Sequence, residues 1–452
     1  MRGEAGEPPR SGGVPKGGVP GALDTGTHVI PRSYITADTP GIGGLIKQRP
    51  EDFLVDEVPQ YLPAGSGEHI YLAVTKRGMS TMEMVEVLAR HFGVKRSAVG
   101  YAGLKDKQAV TRQTVSIHAP GKKIEEFPEL RNERVAIVGA DYHANKLRPG
   151  HLRGNRFSVR IRAVKPTDVL AAQRVLRRLA DVGVPNRVGE QRFGMLENNH
   201  LVGRALVVGD FDGAVRELLG VNAAHPDVNA EARRLFEEGR FKEAQDAYPR
   251  SARTEQRVLY LLSRGAGTRD AMLSLDEPIL RYYLSAFQSA VFNRVLDERI
   301  ALGTLARLDP GDVGVKHENL AAFTVDAPTS ADPETARRLA AFEISPSGPM
   351  WGSAMLRASG PTGERELASL AAFGVKPDQL AAFDAASRHA LDGKRRPLRV
   401  PVIDPEVEGG VDEHGPYVRC AFELPKGSFA TVVLREVMKP DPGQAREWEE
   451  VG

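Results

Sequence analysis

Apolar positions along this chain change their period several times, and each change predicts an element. Behind the capping box Ser80-Thr-Met-Glu83, Met84, Val85, Leu88 and Phe92 recur at helical spacing until Gly93 stops the run, which predicts an amphipathic helix. At Phe157, Val159 and Ile161 the period drops to two, against Arg156, Ser158, Arg160 and Arg162. That pattern predicts a strand with one apolar and one cationic face. Leu284, Phe287, Val291, Phe292 and Val295 share one stripe of residues 281–300, as a packed core helix requires. Near the end Val418, Cys420, Phe422 and Leu424 alternate, a Pro425-Lys-Gly427 turn follows, and Thr431-Val-Val-Leu434 predicts one more strand.

Residues 1–40 carry no such periodicity and hold eight Gly and six Pro, so they are expected to form a disordered leader. Strand and helix signals alternate over 41–182, and 183–391 reads as mostly helical, with Pro/Gly-rich turns near 309–312 and 346–352. Strand patterning resumes over 392–452. The expectation is one sheet-based domain in two parts, 41–182 and 392–452, interrupted by an inserted domain, 183–391.

Composition narrows the classes. A length of 452 residues suits two or three domains. The single cysteine, Cys420, leaves no disulfide framework and no cysteine-based zinc site, which fits a cytoplasmic protein. No apolar run approaches the roughly 18 residues that span a bilayer, and the first residues lack the apolar core of a secretory signal. No G-x-S-x-G elbow, H-E-x-x-H pair or G-x-x-x-x-G-K-[ST] phosphate loop occurs.

Charge changes the picture once it is divided. The formal net charge is +2, but residues 41–182 hold 24 Lys/Arg against 15 Asp/Glu, and the remainder holds 37 against 44. Within 144–165 there are seven Lys/Arg and no acid. A cationic strand face beside the Gly154-Asn155 turn suits a nucleic-acid backbone, whose condensed counterions Arg153, Arg156 and Arg160 would displace. A solvated strand face is the equal reading on this segment alone.

The candidate for chemistry is Tyr101-Ala-Gly-Leu-Lys-Asp106-Lys-Gln-Ala-Val-Thr-Arg-Gln113. One carboxylate, Asp106, lies between Lys105 and Lys107, and flanking cations favour the ionised form that a nucleophile or general base requires. A solvated Lys-Asp-Lys turn has the same sequence, so physics alone favours the plainer reading.

This segment resembles the TruD family of pseudouridine synthases, and other segments follow in that family's order. They are Pro50-Glu-Asp-Phe53-Leu-Val-Asp-Glu57, Gly67-Glu-His69, Gly154-Asn155-Arg-Phe157, Gly183-Val-Pro-Asn186 and Gly189-Glu-Gln-Arg-Phe-Gly194. Ser285-Ala-Phe-Gln-Ser289, Phe292-Asn293, Ser345-Pro-Ser-Gly-Pro-Met-Trp-Gly352 and the run Leu424–Glu436 complete the set, which covers nearly all of 41–438. The resemblance implies an α+β fold: a pseudouridine-synthase-type catalytic domain with a mixed, largely antiparallel sheet, interrupted by an inserted α/β domain named for the family. It implies isomerisation of uridine to pseudouridine in tRNA, in bacteria typically at position 13, with an Asp nucleophile or base and neither cofactor nor metal. A monomer with tRNA as its partner and no membrane attachment is expected.

By the same resemblance Asp106 is the catalytic residue, and Phe53, Asn155 and Phe429 contact the target nucleotide. Phe157 has two readings: a ring stacked on the uracil, or an inward residue of its strand; Phe53 has the same second reading beside Val55, and Asn155 that of a turn residue. Arg153, Arg156 and Arg160 are expected on the RNA backbone near Asp106, and Lys47, Glu57 and Lys105 either line the site or are ordinary charged strand ends. Arg187-Val188 stands where the family has an aromatic pair, and the leader and the 305–340 segment lack counterparts in its pattern. The alternative reading is a catalytically inactive RNA-binding protein or tRNA chaperone on the same fold.

Overall fold

The computed structural model describes residues 23–29, 33–386 and 391–440. In chain order the first strands are β1 (Phe53–Pro59), β2 (His69–Arg77), β3 (Val99–Tyr101), β4 (Val110–His118), β5 (Val135–His143) and β6 (Leu152–Arg162). The inserted part begins at β7 (Val184–Pro185) and carries β8 (Val313–Lys316), β9 (Ala322–Thr324), β10 (Ile344–Met350) and β11 (Lys394–Pro397). The chain returns through β12 (Arg399–Val400) to β13 (Ile403–Asp412) and β14 (Gly415–Pro425).

The eight-stranded main sheet has the order β13-β14-β6-β1-β4-β2-β5, with β3 paired to β4. Every pairing is antiparallel except β1 with β4, so the sheet is mixed and largely antiparallel. One face carries two separate apolar clusters. Helices Val169–Val182 and Ala430–Met438 cover Phe53, Val55, Phe157, Val159, Cys420 and Phe422. Helix Thr81–His91, closed by the expected Ser80/Glu83 capping box, covers Ile70, Leu72, Val74, Val115 and Ile117. Between the two clusters, at the parallel β1/β4 junction, the same face is polar. That break is where the candidate site lies.

The inserted part packs its helices around the long helix Glu277–Ala301, whose Leu284, Phe287, Val291 and Phe292 are buried as the stripe predicts. Its four-stranded sheet, β11-β10-β8-β9, takes the 305–340 segment for β8 and β9. Strand β11 pairs with β10 in this sheet, and β12 pairs with β7.

Two sequence expectations are corrected. Thr431–Leu434 lies in a helix, Ala430–Met438, not a strand. A short apolar run fits a buried strand and a buried helix equally, and packing on helix Val169–Val182 decides the outcome. The expected leader is also not detached where it is described. Thr36 donates from Oγ1 to Glu436 at 2.7 Å, and the His28 ring lies between Asp24 (3.0 Å) and Asp297 (2.9 Å). Val29, His28 and Thr36 are buried, so a few docking side chains outweigh the Gly/Pro composition around them. For residues 1–22 and 30–32 the expectation lies outside the described residues.

Candidate active site

Strand alternation places the polar break. Glu57 on β1, Asn155 on β6, Thr111 and Gln113 on β4 and Lys76 on β2 occupy inward positions, continuing the rows of Val55, Phe157, Val115 and Val74. Glu57 pairs in register with Asn155, and Lys76 with Thr111. Gly154 is required beside Asn155, because a Cβ there would lie 2.3 Å from the Leu424 carbonyl oxygen of β14.

Above this patch runs the 102–109 loop with Asp106. Its carboxylate accepts from the Gln108 backbone N–H at 3.0 Å through Oδ1 and pairs through Oδ2 with Lys47 Nζ at 2.5 Å. Lys47 holds a left-handed backbone, φ 55°, a conformation that costs a non-glycine residue about 1–3 kcal/mol. Its ammonium lies 5.2 Å from the Phe53 ring centroid, so the ring and the carboxylate together hold it. The adjacent Lys105 turns inward: Nζ pairs with Glu57 at 2.7 Å and donates to Asn155 Oδ1 at 2.8 Å. An ammonium only donates, so the Asn155 oxygen faces it and the amide NH₂ turns away. Glu57 also accepts from Thr114 N–H at 3.1 Å, and Lys105 N–H donates to Thr81 Oγ1 at 2.9 Å, tying the loop to the start of a helix.

Lys76 was not singled out from sequence. It is 0% exposed and donates at 2.7 Å to both the Met79 and the Asp106 backbone carbonyls. Burial lowers its pKa to about 8, against an opposing pull from Asp106. Gln113 was missed as well, and Thr111 was read only as a hydroxyl close to Asp106; both are buried, and their side-chain polar atoms have no hydrogen-bond partner among the described residues. The usable signal was a polar residue on the inward phase of a strand: Lys76 follows Ile70, Leu72 and Val74, and Thr111 and Gln113 precede Val115 and Ile117.

Lys47, Glu57 and Lys105 therefore join Asp106 and Asn155 in one cluster, whereas the aromatic candidates divide. Phe53 and Phe157 are 4% and 7% exposed, meet edge to face at 6.3 Å, and sit in the core. Phe429 is 45% exposed at the start of the last helix, beyond a turn tied to β6 by Lys426 N–H to Arg153 O at 3.0 Å. Phe429 is the ring of the three with surface to offer.

The cationic strand face needs correction. Arg156 and Arg160 lie on the opposite side of the sheet from Asn155, because period two alternates them. Arg156 pairs with Glu406 at 2.6 Å, and Arg160 lies 3.7 Å from Asp412 with its guanidinium over Tyr417. Arg162, buried, pairs with both Asp52 and Asp412. Acids from β13, some 250 residues away in sequence, thus neutralise this face. Of the three backbone candidates Arg153 is the most exposed; it falls at the irregularity of β6 opposite Val58 and Pro59 and is only loosely paired, with Glu423 at 3.8 Å.

Comparison with known proteins identifies the family. The sequence model of the TruD family, tRNA pseudouridine synthase D, matches residues 30–437. The tRNA pseudouridine synthase D of Geobacter metallireducens is 43% identical over 413 residues, 90% of this chain and 98% of that relative. Its counterpart in Geobacter sulfurreducens is 44% identical over 411 residues, covering 90% and 96% respectively. A Methanosarcina mazei crystal structure, described as a candidate tRNA pseudouridine synthase D, superposes with a TM-score of 0.81 at 28% identity, over 94% of this chain and all (100%) of that one. With its mixed sheet, inserted domain and polar break above β1 and β4, the chain belongs to the TruD family of tRNA pseudouridine synthases.

Proposed function

We propose that Asp106 starts the isomerisation of a uridine lifted from its stack in tRNA, at position 13. The observation that carries this reading is the placement of Asp106: a partly exposed carboxylate, paired with Lys47, above a polar break between two apolar clusters. A target base must leave the stack to reach such a group. The carboxylate either attacks C1′ or removes the C2′ proton, and the N1–C1′ bond breaks. Uracil then turns within the pocket and C5 bonds to C1′, displacing the carboxylate on the first route or with the proton returned to C2′ on the second, and the C5 proton departs while N1 gains one. Atoms and electrons balance within the nucleotide, so no oxidant, reductant, group donor or metal is called for.

Asn155, fixed by Lys105, presents its amide to the uracil edge, and Phe429 offers it a face. Phe53 and Phe157 act beneath, as the apolar wall that holds Lys47 in place. Arg153 meets the backbone of the RNA. The protein is proposed to work as a cytoplasmic monomer; among the described residues no helix is long and apolar enough to cross a membrane. Release of tritium from tRNA carrying 5-tritiated uridine tests the assignment. Asp106→Asn should release none while binding tRNA within about threefold of the parent, a difference below 1 kcal/mol. Undiminished release would remove Asp106 from the mechanism.

A further inference from the structure

Arg192, in the Gly189–Gly194 segment, has no part in the chemistry above, and neither does Arg396 on β11. Both are half-buried and both are pinned. Arg192 donates through Nη1 to Ser285 Oγ at 3.2 Å, with its guanidinium 5.3 Å from the Tyr282 ring centroid. Arg396 donates to Asn186 O at 3.2 Å and Asn186 Oδ1 at 2.6 Å, with its guanidinium 5.5 Å from the Phe292 ring. Asn186 is itself anchored, its amide donating to Pro397 O at 2.9 Å. Tyr282, Ser285 and Phe292 all lie on the helix Glu277–Ala301, so the two cations are anchored to one element at points about 10–15 Å apart along its axis.

Most buried arginines elsewhere in the inserted part carry acids: Arg187 pairs with Asp297, Arg299 with Asp312, and Arg395 with Glu366, while Arg233 is spent on the Val228 and Gly220 carbonyls. Arg399 has no acid, but its bonds go to Val182 O, Leu339 O and Ser345 Oγ, and it is closed to solvent. Among the described residues Arg192 and Arg396 have no carboxylate partner and still reach solvent. The nearest acid in sequence to Arg192, Glu190, is taken by Arg435. Burial, and then the neighbouring Arg192 charge, lower Arg396 to about 10, as two like charges held together without a counterion require.

Fixing two unneutralised guanidinium groups on aromatic rings costs stability that an arriving anion returns. Guanidinium forks held in place in advance match phosphate oxygens, and little side-chain entropy remains to be lost on contact. We infer that Arg192 and Arg396 form a cationic site on the inserted domain that binds backbone phosphates of the RNA. The inference rests on the tRNA-modifying reading and adds to it a second point of attachment.

The test uses the full chain and tRNA. Arg192→Gln/Arg396→Gln should weaken tRNA binding about tenfold or more, and the slope of log K against log salt should fall by about 1–2. KM should rise while kcat at saturating tRNA holds. An unchanged slope in a variant that melts with the parent overturns the site. Should the double variant fail to fold, the wild-type protein decides: phenylglyoxal labelling mapped by mass spectrometry should show Arg192 and Arg396 protected by bound tRNA. Full labelling of both with tRNA bound and modified overturns this site alone. A wild-type protein that makes no pseudouridine overturns the underlying reading instead.

Discussion

Lys105→Met probes the site most directly, because the ammonium it removes joins two partners. Lys105 and Glu57 are nearly closed to solvent and pair at 2.7 Å, and the same nitrogen holds Asn155 Oδ1 at 2.8 Å. Removing the cation strands the Glu57 charge with only the Thr114 N–H for company, which costs about 3–5 kcal/mol. Adding Glu57→Leu removes the stranded charge but leaves the Thr114 N–H unbonded, at about 1–3 kcal/mol. The double variant should therefore recover about 2 kcal/mol relative to Lys105→Met. Calorimetric melting should rank the parent first, the double variant second and Lys105→Met last. Activity should not follow that order. Both variants leave the Asn155 amide unfixed, and a misplacement near 1 Å costs on the order of a hundredfold in rate, so single-turnover tritium release should stay low in both. Recovery of activity together with stability in the double variant would show that Lys105 serves the fold and not Asn155. Melting of Lys105→Met with the parent would refute the burial argument itself.

Lys76→Met should lower kcat on the order of a hundredfold by freeing the Asp106 carbonyl, with KM for tRNA little changed, as steady-state kinetics would show. Its pH signature is distinct. With a folded-state pKa of about 8, below the ordinary 10.5, burial of the charged lysine penalises the fold below pH 8, and the penalty lifts as pH rises toward 10.5. The parent should gain stability relative to Lys76→Met across that window, and parallel melting curves from pH 7 to 10.5 would contradict the assignment. Arg187→Leu, which strips Asp297 of its 2.6 Å partner and the His28 carbonyl of a donor, should cost about 3–5 kcal/mol. Proteolysis within 23–29 should accelerate, while tritium release at low temperature stays near the parent's.

That last pair also accounts for a departure from the family pattern. Where an aromatic pair was expected, Arg187 is buried against Asp297 and carries the carbonyl of His28, so this position serves the docking of the 23–29 segment instead of stacking. Nothing near residue 187 in the sequence announces a partner 110 residues on and another 159 residues back.

Local patterning was legible wherever neighbours along the chain decide the outcome. The capping box and its stripe became the helix Thr81–His91, the period-two run became β6, and the stripe at 281–300 became the core of the long helix. The order of motifs was enough for the family. Where distant residues decide, the sequence was silent or misleading. Thr431–Leu434 has strand composition but lies in a helix, because its packing partner is another helix. Arg156 and Arg160 looked like a free cationic face because their acids, Glu406 and Asp412, sit on a strand of the second half. The division into a basic segment and an acidic remainder was real as arithmetic, yet the fold brings the two together and cancels much of it. Periodicity says which side chains share a face; only the packed sheet says what covers that face. By itself the sequence determined the family and those strands and helices that neighbours along the chain decide, and it nominated Asp106. Tertiary structure decided that Lys47, Lys76, Lys105, Glu57 and Asn155 surround it, because cross-strand register, not spacing along the chain, sets which charges meet.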